Sequence, residues 1–289
     1  MRSTARTWLQ LFRAPNLFTV PGDPLVGFLL TSPALLKFPP RSLLPIIASL
    51  CFYAAGLLLN DLMDLEEDRA ERPNRPLPSG AARASHVWLV TSGLTASGLA
   101  ICAWGGIKAL LVGFGIVAAI VAYDCVLKKV PVAGVITMGL CRGLSVLLGA
   151  AFAGAFARPS VAAAIAVTIY IAAVTHLARY ETAVGAPAYA VVLPVAGPLT
   201  MLALSNNMPP TSWFTLLLAA GMIASLLLRV GKKQLPLPPA IGGLIRVLLF
   251  VQAFYCLCAP AGLVSIVSAC ALIALWPVSR AVSKRFYAS

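Results

Sequence analysis

Residues 43–68 read LLPIIASLCFYAAGLLLNDLMDLEED. The first eighteen positions carry no charge, and the last eight carry five carboxylates. A run of about 17–25 apolar residues is long enough to cross the hydrocarbon core of a bilayer as a helix. The stretch therefore predicts a spanning helix that delivers a dense acidic cluster to one membrane face. The rest of the chain fits that solvent. Of 289 residues, 60% are hydrophobic and 11% charged, whereas soluble domains carry roughly a quarter charged residues. Further apolar runs near 17–36, 86–105, 107–124, 132–156, 160–178, 187–205, 211–229, 240–258 and 261–280 bring the expected count to nine or ten spans, an all-α polytopic bundle in one domain over 1–289. The run at 17–36 is the weakest, because Pro21, Gly22, Asp23, Pro24 and Pro33 interrupt it.

The net charge of +13 has a topological reading. With the N-terminus inside, sixteen basic residues (among them Arg2, Arg13, Arg72, Arg75, Lys128, Arg179, Lys232 and Arg285) fall on the inner side. Four, Lys37, Arg41, Lys108 and Arg158, fall outside. Cytoplasmic loops carry such an excess, so both termini and the acidic cluster are expected on the cytoplasmic side, in a bacterial plasma membrane, and no nucleic-acid partner is expected. No cleavable signal peptide is expected, since no small-residue cleavage pattern ends the first span. The seven cysteines read as small buried hydrophobes, and Cys256-x-Cys258 lacks the partners a zinc site needs.

Six of the nine acidic residues lie between positions 61 and 71. On a continuous helix Asp61, Asp64 and Asp68, three and four residues apart, project from one face. Three carboxylates there repel one another unless a cation sits among them, and hard oxygen donors suit Mg²⁺. The plainer reading, a solvated acidic helix end balanced by Arg69, Arg72 and Arg75, explains the charge but not the Asn-Asp-x-x-Asp-x-x-x-Asp spacing. Next comes Glu71-Arg72-Pro73-Asn74-Arg75-Pro76-Leu77-Pro78-Ser79-Gly80, whose prolines and glycine predict a stiff non-helical loop. Its guanidinium forks match phosphate oxygens.

These residues resemble the first aspartate-rich motif of the UbiA superfamily of intramembrane prenyltransferases. Tyr123-Asp124-Cys125-Val126-Leu127-Lys128-Lys129 looks like the superfamily's tyrosine and lysine motif, and Met138-Gly139-Leu140-Cys141-Arg142-Gly143 resembles its EboC-like branch. The resemblance implies a helical fold around a central cavity and Mg²⁺-dependent transfer of an isoprenyl group. The donor is an allylic diphosphate; the acceptor is small and lipophilic or aromatic; membrane lipid surrounds the chain. By motif match Asn60, Asp61, Asp64 and Asp68 would hold the metal. Arg72, Tyr123 and Lys128 would contact the diphosphate, with Arg75, Asp124, Arg142 and Tyr180 as further substrate-binding candidates.

One departure stands out. The family usually has a second Asp-x-x-x-Asp motif after its sixth span. Here that place reads Thr175-His176-Leu177-Ala178-Arg179-Tyr180-Glu181-Thr182. Arg179 could pair with the diphosphate in place of a metal, Glu181 with Asp124 could form a reduced second metal site, or transfer chemistry could be lost. Two alternatives stay open beside transfer: a terpene cyclase using the same ionisation, and a carrier or export component for a prenylated or polycyclic metabolite. A CDP-alcohol phosphotransferase would need a Gly-x-x-Ala-Arg element beside the aspartates, which is missing. Arg142, inside a span, reads either as a chamber-facing group or as half of an ion pair. Asp23 reads as cavity lining or an arginine's partner.

Overall fold

The computed structural model describes residues 4–32, 39–181, 186–204 and 208–285. Among these residues the secondary structure is helical and no strand occurs. Eight helices are long and apolar enough to cross a membrane: α4 (Pro39–Met63), α6 (Ala84–Trp104), α7 (Ile107–Cys125), α8 (Pro131–Phe152), α9 (Arg158–Ala178), α12 (Pro210–Gly231), α13 (Leu237–Cys258) and α14 (Leu263–Arg285). Prolines sit in the first turn of α8, α9, α12 and α13. There the ring's fixed φ suits the helix and no hydrogen bond is lost. Shorter helices fill the rest: α1 (Thr4–Leu11), α2 (Ala14–Leu17), α3 (Gly22–Thr31), α5 (Leu65–Glu71), α10 (Ala188–Val192) and α11 (Ala196–Leu204).

Two expected spans are therefore not single long helices. The first survives as the ten residues of α3, about 15 Å of helix against about 30 Å of hydrocarbon. Residues 33–36 of that expectation, with Pro33, lie outside the described residues, as do Arg2, Lys37 and Thr182. The seventh is divided into α10, a 3₁₀ turn at Leu193–Val195 and α11. Pro194 and Pro198 each withdraw a backbone donor within it.

α3 is wedged into the bundle rather than facing lipid. Val26, Phe28 and Leu29 are no more than 1% exposed. The wedge requires backbone contact with α8. A Cβ at Gly27 would stand 1.8 Å from the Val146 carbonyl oxygen, and one at Gly149 would stand 1.8 Å from that of Pro24. The largest core cluster joins α3, α9 and α13 through Tyr170, Val174, Leu248 and Phe254, among others. Leu89, Phe214 and Leu263 are 72%, 69% and 74% exposed; such a periphery is stable against acyl chains, not water. The chain is an integral membrane protein. Its cysteines are all free.

The loops gather into two ends. Lys128, between α7 and α8, pairs with Asp64 at the end of α4. At the other end Lys108 donates to the Gly154 carbonyl at 2.7 Å, tying the α6–α7 turn to the α8–α9 turn. α14 packs back against α2: Ser279 Oγ on α14 donates to the Pro15 carbonyl at 2.7 Å.

Candidate active site

α4 carries Asn60 and Asp61 to its C-terminal end and then breaks. Asp64, at φ −92° and ψ 4°, caps α5 instead of continuing α4. Helix-like bonds persist across the break, Asp64 N to Asn60 O at 3.0 Å and Asp68 N to Asp64 O at 2.8 Å. The three aspartates are therefore not presented by one continuous helix, and each finds its own cation. Arg13 Nη2 donates to Asn60 Oδ1 and Asp61 Oδ1, both at 3.3 Å. Lys128 Nζ binds Asp64. Arg75 Nη1 meets both oxygens of Asp68, at 2.9 and 2.7 Å.

Asp124, at the end of α7, is buried and accepts from Asn60 Nδ2 at 3.1 Å. This joins the tyrosine and lysine motif to the aspartate motif through side chains 64 positions apart. Glu181, just past α9, belongs to the same electrostatic neighbourhood. Burial pushes its carboxyl above the usual range, while Arg72 and Arg13 pull it down. Arg179 and Tyr180 go elsewhere. Arg179 is exposed, and among the described residues it makes no hydrogen bond or ion pair to the acidic cluster. Tyr180 Oη pairs with Tyr189 Oη at 2.9 Å, and the His176 ring lies 5.7 Å from Tyr180 and 5.8 Å from Tyr189. Of the replacements considered for the second aspartate motif, Glu181 is the one drawn toward the cluster.

Beneath the acidic mouth lies a cavity of about 140 Å³. Arg13 and Val20 close one side. α4 contributes Ser49, Phe52, Tyr53, Gly56, Leu57 and Asn60. α7 adds Ile116, Ile120, Tyr123 and Asp124, and α8 adds Met138, Cys141, Arg142 and Ser145. The middle is apolar and both ends are polar. Arg142 is 6% exposed and forms an ion pair with Asp23 at 2.7 Å. Arg142 thus lines the cavity and is paired at the same time.

Arg13 is the functional residue that sequence reasoning missed. In the sequence it is one inside charge among sixteen, yet it touches Asn60 and Asp61 and lines the cavity. It also adopts a left-handed backbone, φ 42° and ψ 55°, which is uncommon for a residue with a Cβ. That turn between α1 and α2 aims it at the site, and no local pattern in the sequence marks it.

The donor set fits a hard divalent cation by its chemistry. It consists of carboxylate and amide oxygens, and fixed ammonium and guanidinium groups now neutralise the carboxylates. Among the described residues no three His, Cys, Asp or Glu side chains are gathered closely enough to hold an ion. A metal would therefore enter by exchange with Arg13, Lys128 and Arg75.

Comparison with known proteins gives a consistent result. The model of the UbiA prenyltransferase family matches residues 24–258. A digeranylgeranylglyceryl phosphate synthase of Methanoculleus marisnigri is 28% identical over 224 residues, 78% of this chain and 77% of that protein. A UbiA homolog from Aeropyrum pernix K1 superposes with a TM-score of 0.66 at 19% identity, covering 83% of this chain and 96% of that one. A UbiA homolog from Archaeoglobus fulgidus, solved bound to DMAPP and Mg²⁺, gives 0.51 at 19% identity, over 96% and 88% of the two chains. The EboC-like branch suggested by Met138–Gly143 gives way here, since the relatives matched are digeranylgeranylglyceryl phosphate synthases.

Proposed function

This chain belongs to the UbiA prenyltransferase family, and on that premise we propose that it transfers an isoprenyl group from an allylic diphosphate, bound with Mg²⁺ at the Asn60–Asp68 mouth, to a small lipophilic acceptor in the cavity below. The observation that carries this reading is the adjacency of three things: clustered carboxylates, a basic ring that already touches them, and an apolar chamber opening beside both. The complex of the Archaeoglobus homolog with DMAPP and Mg²⁺ supports the donor and the metal. The name of the Methanoculleus relative supports a glyceryl phosphate lipid as acceptor rather than an aromatic one. The basic rim supports a cytoplasmic orientation for the mouth.

Asn60, Asp61, Asp64 and Asp68 would hold the metal. Bound Mg²⁺ would neutralise charge growing on the leaving diphosphate. Once their carboxylates are otherwise occupied, Arg13, Lys128 and Arg75 would turn toward the diphosphate oxygens, with Arg72 beside them. As the allylic carbon–oxygen bond breaks, its electron pair stays on the diphosphate, and these fixed cations stabilise it. Phe52, Leu57, Ile116 and Ile120 keep water from the allylic cation. The acceptor nucleophile then bonds to that carbon and sheds a proton. Asp124, the one carboxylate among the described cavity-lining residues, is the group in reach to take it.

Asp64→Asn tests the assignment. In vesicles with geranyl diphosphate, Mg²⁺-dependent binding of the donor should fall sharply. Turnover should drop by about 10²–10³, the usual effect of deleting one group that stabilises developing charge. Chelation with EDTA should abolish donor binding by the unmodified protein. Undiminished binding in both arms would sink the metal role.

A further inference from the structure

The far end of the cavity from the aspartates is built with unusual care. Arg142 Nε faces Asp23 Oδ2 at 2.7 Å. Its Nη2 donates to the Thr19 carbonyl at 2.8 Å and to Thr19 Oγ1 at 3.4 Å. The guanidinium lies 5.5 Å from the Tyr53 ring centre. Gln252, from α13, braces the other side, its Nε2 donating to Asp23 Oδ1 at 2.6 Å and to the Thr19 carbonyl at 2.7 Å. Asp23 and Gln252 are fully buried. α3, α4, α13 and the turn at Thr19 thus hold one guanidinium, while its Nη1 takes no hydrogen bond among the described residues and is not among the sealed atoms of this cluster, and Arg142 lines the cavity. Ser145, about one turn along α8, shares a hydrogen bond with Ser49 of α4, and both serines line the cavity too.

Each property of this floor narrows what can rest on it. A donor facing the cavity becomes costly once a bound molecule covers it without supplying an acceptor. An isoprenoid tail brings no acceptor, so the tail does not belong there. Asp23 already balances Arg142. An anion seated on Nη1 would leave an uncompensated buried negative charge, which is costlier still. An uncharged oxygen satisfies the donor and keeps the balance. We propose that the cavity floor, Arg142 Nη1 with Ser49 and Ser145, binds a neutral hydroxyl or carbonyl oxygen of the acceptor, distinct from the atom that reacts. The proposal rests on the reading of the cavity as the acceptor chamber. It has the acceptor enter oxygen first, its reacting end toward Asn60, about 16 Å from Ser49 along α4. Any phosphate on the acceptor then stays at the basic mouth.

Three probes of matched shape test it on the full chain in nanodiscs without diphosphate: 4-propylphenol, propylbenzene and 4-propylbenzoate, each titrated by calorimetry. The phenol should bind at least about tenfold more tightly than either other probe, the effect of one hydrogen bond to a charged donor. Arg142→Met combined with Asp23→Asn, which removes both charges together, should erase that preference. Ser145→Ala should reduce it severalfold, and it decides the matter if the double variant does not fold. Equal binding of propylbenzene, tighter binding of the benzoate, no binding of any probe, or a preference unchanged in Ser145→Ala would overturn the proposal. A separate titration with geranyl diphosphate and Mg²⁺ keeps the two readings apart. A selective floor with no diphosphate binding rejects the transferase reading alone. Diphosphate binding without phenol selectivity rejects the floor alone.

Discussion

Arg75 and Asp68 make the most enclosed ion pair of the acidic mouth, with side chains 17% and 7% exposed. Removing one member of such a pair strands the other, whereas removing both is far milder. Arg75→Met should therefore cost on the order of 3 kcal/mol, the low end for a buried pair because the rim is partly open. Arg75→Met with Asp68→Asn should recover most of that loss. Thermal unfolding of the four proteins in detergent checks it, and simple additivity would contradict it. The same residues show what the sequence could reveal. Asp61, Asp64 and Asp68 stood out because carboxylates are scarce in so apolar a chain. Their partners did not stand out. Arg13 lies 47 positions before Asn60 and resembles every other inside arginine until the chain folds. Nor does any proline or glycine announce the break at Asp64.

At the level of elements, the fold depends on how closely α3 approaches α8. Membrane helices gain no hydrophobic drive from meeting in lipid, so they associate through packing that small residues permit. Gly27→Ala and Gly149→Ala push a methyl into opposing backbone at 1.8 Å, which cannot move aside as a side chain could. Both should lower the unfolding temperature markedly and loosen the cavity floor, because Asp23 rides on α3. Gly93→Ala on α6 and Gly221→Ala on α12 meet nothing within 4 Å. They should be neutral or stabilising by up to about 1 kcal/mol, the helix-propensity gain. A thermal melt comparing the four variants is decisive, and equal effects would refute the close-packing account. Helix type and most boundaries could be read from the apolar runs, since lipid demands length and hydropathy. The short forms of the first and seventh runs could not. Prolines warned of interruption at 17–36, but only packing determined that ten residues would remain as a buried wedge.

For the whole molecule, charge and contacts together predict a sidedness. The Asp64–Lys128 pair and the Lys108–Gly154 bond mark opposite ends of the bundle. In a cysteine-free background, Ser79→Cys and Lys232→Cys should react with an impermeant thiol reagent only from the cytoplasmic side. Trp104→Cys and Phe156→Cys should react only from the other. The reverse pattern would place the mouth outside, and a mixed pattern would break the alternation of spans.

The bond from Ser279 to the Pro15 carbonyl couples the beginning of the chain to its end across 264 positions. Synthesis runs in one direction, so the segment bearing Arg13 is made long before the helix that secures it. Until α14 enters the membrane, the Pro15 carbonyl lacks the Ser279 hydroxyl that donates to it, and an unmet carbonyl is expensive in hydrocarbon. The early helices must wait near water or against a temporary companion. The turn that aims Arg13 at the aspartates is then secured only when α14 arrives.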